Sequence, residues 1–150
     1  DLKNHFNELI SSVKLYISKW FYDIDEFLEH RDYVISRLSK LPKLTKLYFG
    51  ECDLINTDGL NHLSKLPKLS KLYLGNCMLI SDDGLNHLSK LPELTDLTLK
   101  SCKLITNDGL KHLSKFPKLT KLFLNICNLS DVGLNHLSKL PKSIDVQISK

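Results

Sequence analysis

The feature that most constrains this chain is its self-similarity. From Leu41 it reads LPKLTKLYFGECDLINTDGLNHLSK, from Leu66 LPKLSKLYLGNCMLISDDGLNHLSK and from Leu91 LPELTDLTLKSCKLITNDGLKHLSK, so equivalent positions return every 25 residues. A fourth copy, FPKLTKLFLNICNLSDVGLNHLSK from Phe116, is one residue shorter, and LPKSIDVQISK from Leu140 is the first half of a fifth. Repetition at a period of about 20 to 50 residues marks a solenoid or array, in which no unit buries its own apolar face and the core is made by stacking neighbours. Length here therefore counts repeats.

Within one copy, Leu44-Thr45-Lys46-Leu47-Tyr48-Phe49 alternates apolar Leu47 and Phe49 with polar Lys46 and Tyr48. A period of two predicts a strand with one buried face. After the cysteine come Leu54-Ile55 and then Thr57-Asp58-Gly59-Leu60, where a small polar residue ahead of Leu60 and Leu63 caps a short helix. Pro67 ends it near Leu66, because the residue before a proline is pushed out of the helical region. Each unit is thus strand, turn, short helix, turn.

The frame Leu69-x-x-Leu72-x-Leu74-x-x-Cys77-x-Leu79 resembles the leucine-rich repeat. The following Ile80-Ser81-Asp82-Asp83-Gly84-Leu85 is similar to the cysteine-containing subclass of that family, found in substrate receptors of F-box ubiquitin ligases and in GALA-type bacterial effectors. The match runs from Leu41 to Lys150 in register. It implies an α/β fold, a right-handed β-α superhelix with a parallel sheet on the concave side and short helices on the convex side. For function it implies partner binding.

Residues 1–40 fit the same plan in degenerate form. Val13-Lys14-Leu15-Tyr16-Ile17 parallels Thr45-Lys46-Leu47-Tyr48-Phe49, and Ser36-Arg37-Leu38-Ser39-Lys40-Leu41-Pro42 parallels Asn61-His62-Leu63-Ser64-Lys65-Leu66-Pro67. Between them, Ile24, Phe27, Leu28, Val34, Ile35 and Leu38 fall at helical spacing, with Asp23 and Glu26 as an N-terminal cap. Terminal repeats have to cover an open core, which accounts for the divergence, and residues 2–10, with Phe6, Leu9 and Ile10, are expected to lie over that end. The expected organisation is one domain over 1–150: a cap in 1–40, four repeats in 41–139 and a terminal strand in 140–150. No F-box is discernible in residues 1–40, so a ligase adaptor or effector role requires sequence outside this chain. Starting at Asp1 and ending within a repeat, the chain is expected to be part of something longer.

Composition narrows the function classes. A net charge of +4 is too mild for a dedicated nucleic-acid binder and agrees with a partner of acidic or mixed surface. No apolar run approaches the ~18 residues of a membrane span. Cys52, Cys77, Cys102 and Cys127 hold one repeat position, so stacking places them in a ladder at about 4.8 Å with parallel side-chain vectors, poorly set for a disulfide. They are expected to be buried wall residues, and as unpaired thiols they favour a reducing compartment, the cytoplasm or, for a secreted effector, a host cytosol. His62, His87, His112 and His136 form a second column, but helices about 10 Å apart hold imidazoles too far from one another to share a metal. Asp58, Asp83 and Asp108, beside Gly59, Gly84 and Gly109, read as turn and capping groups. With no nucleophile elbow, phosphate loop or carboxylate pair, neither catalysis nor a cofactor is expected.

What remains is the outward row of the strands. One column runs Lys14, Lys46, Lys71, Asp96, Lys121, Asp145, the next Tyr16, Tyr48, Tyr73, Thr98, Phe123, Gln147, and a third Ser18, Gly50, Gly75, Lys100, Asn125, Ser149. Tyrosine and phenylalanine suit the core of an interface. Duplication alone would give uniform columns, whereas these change at Asp96 and Thr98. The expected partner site is therefore Lys14, Tyr16, Lys46, Tyr48, Lys71, Tyr73, Asp96, Thr98, Lys121 and Phe123, used by a monomer to bind a protein, with RNA or another polyanion a weaker alternative.

Overall fold

The computed structural model describes residues 14–16, 33–50, 55–125 and 129–149. Six strands form one sheet in sequence order: β1 (Lys14–Tyr16), β2 (Lys46–Phe49), β3 (Lys71–Leu74), β4 (Asp96–Lys100), β5 (Lys121–Asn125) and β6 (Asp145–Ile148). Every neighbouring pair is parallel, and the register sets equivalent repeat positions side by side, as in Leu47↔Leu72, Leu72↔Leu97 and Leu97↔Leu122. The degenerate first strand obeys the same alignment, Lys14↔Lys46 and Tyr16↔Tyr48. Parallel neighbours need a crossover. Here it is supplied by α1 (Thr57–Leu63), α2 (Asp82–Leu88), α3 (Asn107–Leu110, continuing as a 3₁₀ turn over Lys111–Lys115) and α4 (Asp131–Ser138).

Alternation in the strands produces the expected half-burial. Leu47, Leu72, Leu97 and Leu122 are at most 2% exposed, while Lys46, Tyr48, Lys71 and Tyr73 stay partly accessible. From the helical side the core receives Leu60, Leu85 and Leu110, then Leu63, Leu88 and Leu113, all within 2% of full burial. Each such leucine contributes about 1.5–3 kcal/mol, so a repeat holds mainly through its apolar faces. Residues 33–38 are helical, and Val34, Ile35 and Leu38 close the core ahead of β2 at 3%, 1% and 0% exposure. The lid expected in residues 2–10 and the cap at Asp23 and Glu26 lie outside the described residues.

Polar repeat positions stitch copies together. The Thr45 carbonyl accepts the amides of Ser70 and Lys71 at 2.8 and 3.1 Å, and the Ser70 hydroxyl donates to the same oxygen at 3.0 Å. One repeat on, Thr95 does likewise to Ser70, with its hydroxyl at 3.1 Å, and Thr120 to Thr95 at 3.2 Å. A hydroxyl recurs there because it satisfies a carbonyl at the strand entrance.

At the helix starts the structure corrects the sequence reading. The N-caps are Asn56, Ser81, Thr106 and Ser130, whereas Asp58, Asp83 and Asp108 sit in the first turn and are exposed, where a carboxylate favours the helix dipole without capping. Asn56 Oδ1 accepts the Gly59 amide at 3.0 Å, and Thr106 Oγ1 accepts that of Asp108 at 3.1 Å. Asp82 works across the repeat boundary: its carboxylate accepts the Thr106 amide at 2.8 Å and the Thr106 hydroxyl at 2.6 Å. The glycine of the next helix makes room for it, since a Cβ on Gly109 would collide with Asp82 Oδ1, and one on Gly133 with Asn107 Oδ1.

Cys77 and Cys102 are fully buried, as expected of wall residues. Yet Cys77 is disulfide-bonded, which corrects the expectation that the ladder sets its thiols poorly for a disulfide. That expectation assumed strand geometry, but Cys77 lies beyond β3 and directly after Asn76, whose φ of 50° is left-handed, so its side-chain direction is no longer set by the pleat. Its sulfur lies 3.3 Å from the Gly75 carbonyl oxygen, a contact rather than a hydrogen bond, because a disulfide sulfur carries no proton. Cys102 follows Ser101, at φ 54°, in the same way, and its Sγ donates to the Lys100 carbonyl at 3.5 Å. Cys52 and Cys127 lie outside the described residues. A reducing compartment no longer follows from these cysteines.

Candidate functional site

The outward positions of six parallel strands, about 4.8 Å apart, form two continuous rows. Lys14, Lys46, Lys71, Asp96, Lys121 and Asp145 follow one another in register, and beside them run Tyr16, Tyr48, Tyr73, Thr98, Phe123 and Gln147. All ten residues expected from the sequence thus share one face. For Lys14 and Tyr16 only the backbone position is described.

The charge along the first row is more balanced than its lysines suggest. Lys71 Nζ meets Asp96 Oδ1 at 3.1 Å, and the Thr95 hydroxyl donates to Asp96 Oδ2 at 2.6 Å. Burial pushes the Asp96 carboxyl up, but the hydrogen bonds from Thr95 and Lys71 and the charges of Lys71 and Lys121 outweigh it and hold the group below its ordinary range. Lys71 is therefore already engaged. Neither Lys46 nor Lys121 has an ion pair among the described residues.

In the second row Tyr48 and Tyr73 pair with ring centroids 6.3 Å apart and planes tilted by 32°, within the range of favourable aromatic contacts. Gly75 lets this happen: a Cβ there would lie 2.9 Å from Tyr73 Cε1 and 2.8 Å from the Gly50 carbonyl oxygen. Thr98 then interrupts the aromatic row before Phe123.

Above Thr98 stands a residue absent from the sequence-based site. The Lys100 ammonium lies 5.7 Å from the Tyr73 ring centroid and 5.6 Å from that of Phe123, a cation held between two rings. Its signal in the sequence was the third column, which reads Gly50, Gly75 and then Lys100. Towards β6 the face sinks into a shallow depression of about 180 Å³ lined by Asp96, Thr98, Lys121, Phe123, Asp145 and Gln147, where Gln147 Nε2 donates to Asp145 Oδ2 at 3.1 Å.

Away from the sheet, Nδ1 of His87 and of His112 are buried with no hydrogen-bond partner. Burial, followed by the charge of Lys115, lowers the His112 pKa. Among the described residues no group of histidine, cysteine and carboxylate side chains is arranged to hold a metal, and no helix is long and apolar enough to cross a membrane.

No family model and no curated protein matches the sequence. Thirty-four solved chains match the fold. One of them, the crystal structure of an internalin from Listeria monocytogenes, superposes with a TM-score of 0.53 at 26% identity over 75% of this chain. The alignment spans 30% of that internalin's length. Together with the parallel sheet and the short crossover helices, the likeness makes this an α/β leucine-rich-repeat solenoid. It does not single out the cysteine-containing subclass suggested by the sequence.

Proposed function

We propose that the chain is a protein-interaction module, without catalysis of its own, that receives its partner on the exposed face of the sheet. The observation that carries this reading is the in-register pair of rows, one charged and one aromatic, on a surface built entirely from parallel strands. Rings such as Tyr48, Tyr73 and Phe123 are only partly covered by the protein itself and offer large contact area with few rotatable bonds. Because the sheet is formed before the partner arrives, little ordering entropy opposes docking. Lys14, Tyr16, Lys46 and Lys71 extend the surface on one side, while Asp96, Thr98 and Lys121 give it the mixed character that discriminates between partners.

A photo-crosslinking amino acid placed in turn at positions 48, 73 and 123 on the sheet, and at 65 and 90 on the helical side, tests the reading in a lysate. The same protein should be trapped from the sheet positions and not from the helical ones, and the trapping should be lost in a folded Tyr48→Ala/Tyr73→Ala variant. Each aromatic is expected to contribute about 2 kcal/mol if it is a hot spot. Trapping confined to positions 65 and 90 would move the interface to the convex side.

A further inference from the structure

From the surroundings of Lys100 we infer that the notch over Thr98, between the rings of Tyr73 and Phe123, is the subsite that takes an aspartate or glutamate side chain of an extended protein segment. This rests on the sheet face being the docking surface. Tyr73, Thr98 and Phe123 are opposite one another on β3, β4 and β5, so the two rings stand two strand spacings apart, roughly 9 to 10 Å. Thr98 carries too small a side chain to fill the gap. Lys100 reaches into it, with its ammonium nearly equidistant from both rings.

Among the described residues the Lys100 ammonium has no hydrogen bond and no ion pair, unlike that of Lys71 with Asp96 and of Lys118 with Glu93. It is partly buried, and the rings restrain its long side chain. An ammonium placed in this way has already lost much of its rotamer freedom and part of its water. It keeps its N–H donors for an anion, and the rings shield the resulting pair from solvent. The methylenes of an acidic side chain fit against Thr98 and the ring edges while its carboxylate reaches Lys100. Charge complementarity selects this occupant: the nearest carboxylate in the charged row, Asp96, is already committed to Lys71 and Thr95, so the notch itself is cationic.

The test is an NMR titration of the labelled chain with the blocked pentapeptide Gly-Leu-Glu-Leu-Gly and its glutamine counterpart. Expected are shift changes at Thr98, Tyr73, Phe123 and the Lys100 ammonium, and about tenfold tighter binding of the glutamate peptide, the scale of one charge-assisted hydrogen bond. Lys100→Gln should abolish that preference and Lys100→Arg should keep most of it. Mapping in the unaltered chain requires no variant to fold. Shifts at Lys46 and Tyr48 without Lys100 would overturn the notch and leave the sheet as the docking face. Shifts confined to the helices or loops would overturn both. Equal affinity for the two peptides, or no binding by either, would overturn the notch alone. Tighter binding of octauridylate at the same residues, falling steeply with salt, would replace the acidic segment by a polyanion.

Discussion

The hexapeptide Leu-Asn-His-Leu-Ser-Lys begins within α1, α2 and α4, as Leu60 to Lys65, Leu85 to Lys90 and Leu134 to Lys139. Leu60 is fully buried, whereas Leu134 is 45% exposed. Identical local sequence in the same kind of short helix therefore ends in two environments, and the difference is whether another repeat stacks on it. The strands repeat the lesson: Leu74, Leu99 and Leu124 are fully buried, while Ile148, their counterpart in β6, is 44% exposed. Burial in this molecule is a property of the neighbour as much as of the residue.

The largest effect should come from testing that contrast directly. Leu85→Ala, in the middle of the array, removes a fully buried side chain and should cost about 2–5 kcal/mol in urea unfolding. Leu134→Ala should cost under about 1 kcal/mol, in keeping with the small effects of exposed sites. Equal costs would mean that α4 is covered in solution.

A second contrast uses glycines. In Gly109→Ala the new methyl meets Asp82, so the substitution should destabilise by about 1–3 kcal/mol. Removing the obstacle as well, in Asp82→Ala/Gly109→Ala, should be markedly non-additive. At Gly59 the nearest atom to such a methyl is 3.4 Å away, so Gly59→Ala should be neutral or stabilise by up to about 1 kcal/mol through helix propensity. Differential scanning calorimetry on these three variants and on Asp82→Ala decides it.

Smaller still is the electrostatic effect on the sheet face. The Asp96 carboxyl is held below its ordinary value of 3.8, so its contribution is fully present above that pH and is lost as pH falls through the lower folded value. With the Lys71 side chain 40% exposed, screening keeps this below about 1 kcal/mol. Asp96→Asn should flatten the acid limb of the stability profile by that amount. It should also release Lys71 and tighten binding of an acidic partner. An acid limb unchanged by the substitution would show that the pair contributes nothing in solution.

The sheet, its register and the residues on its exposed face were legible in the sequence, because a strict period fixes which positions become neighbours once one strand is recognised. Leu47 above Leu72 and Tyr48 beside Tyr73 follow from counting. What counting could not reach were features that depend on direction after the strand ends. The left-handed Asn76 and Ser101 redirect the chain ahead of the cysteines, so a ladder argument failed at Cys77. The helix caps were misplaced because Asp83 and Ser81 are equally plausible by composition, and only the dihedrals at Ser81 decide. Lys100 is hard to read from the sequence for a related reason: its column is otherwise made of small or polar residues, and its surroundings arise from two rings on neighbouring strands.

The fourth copy is one residue shorter than its neighbours. From Lys121 to Asp145 the spacing is 24 residues, where Lys46 to Lys71 is 25, yet both pairs occupy the same column. The missing residue is absorbed between strand and helix, and nothing downstream is displaced. Segment length is thus a loose variable in this architecture and column identity a strict one. Unequal recombination between any two of these similar units would lengthen or shorten the chain and still deliver every strand to its place, so an array of this kind is able to change its reach by whole units while keeping its columns in register.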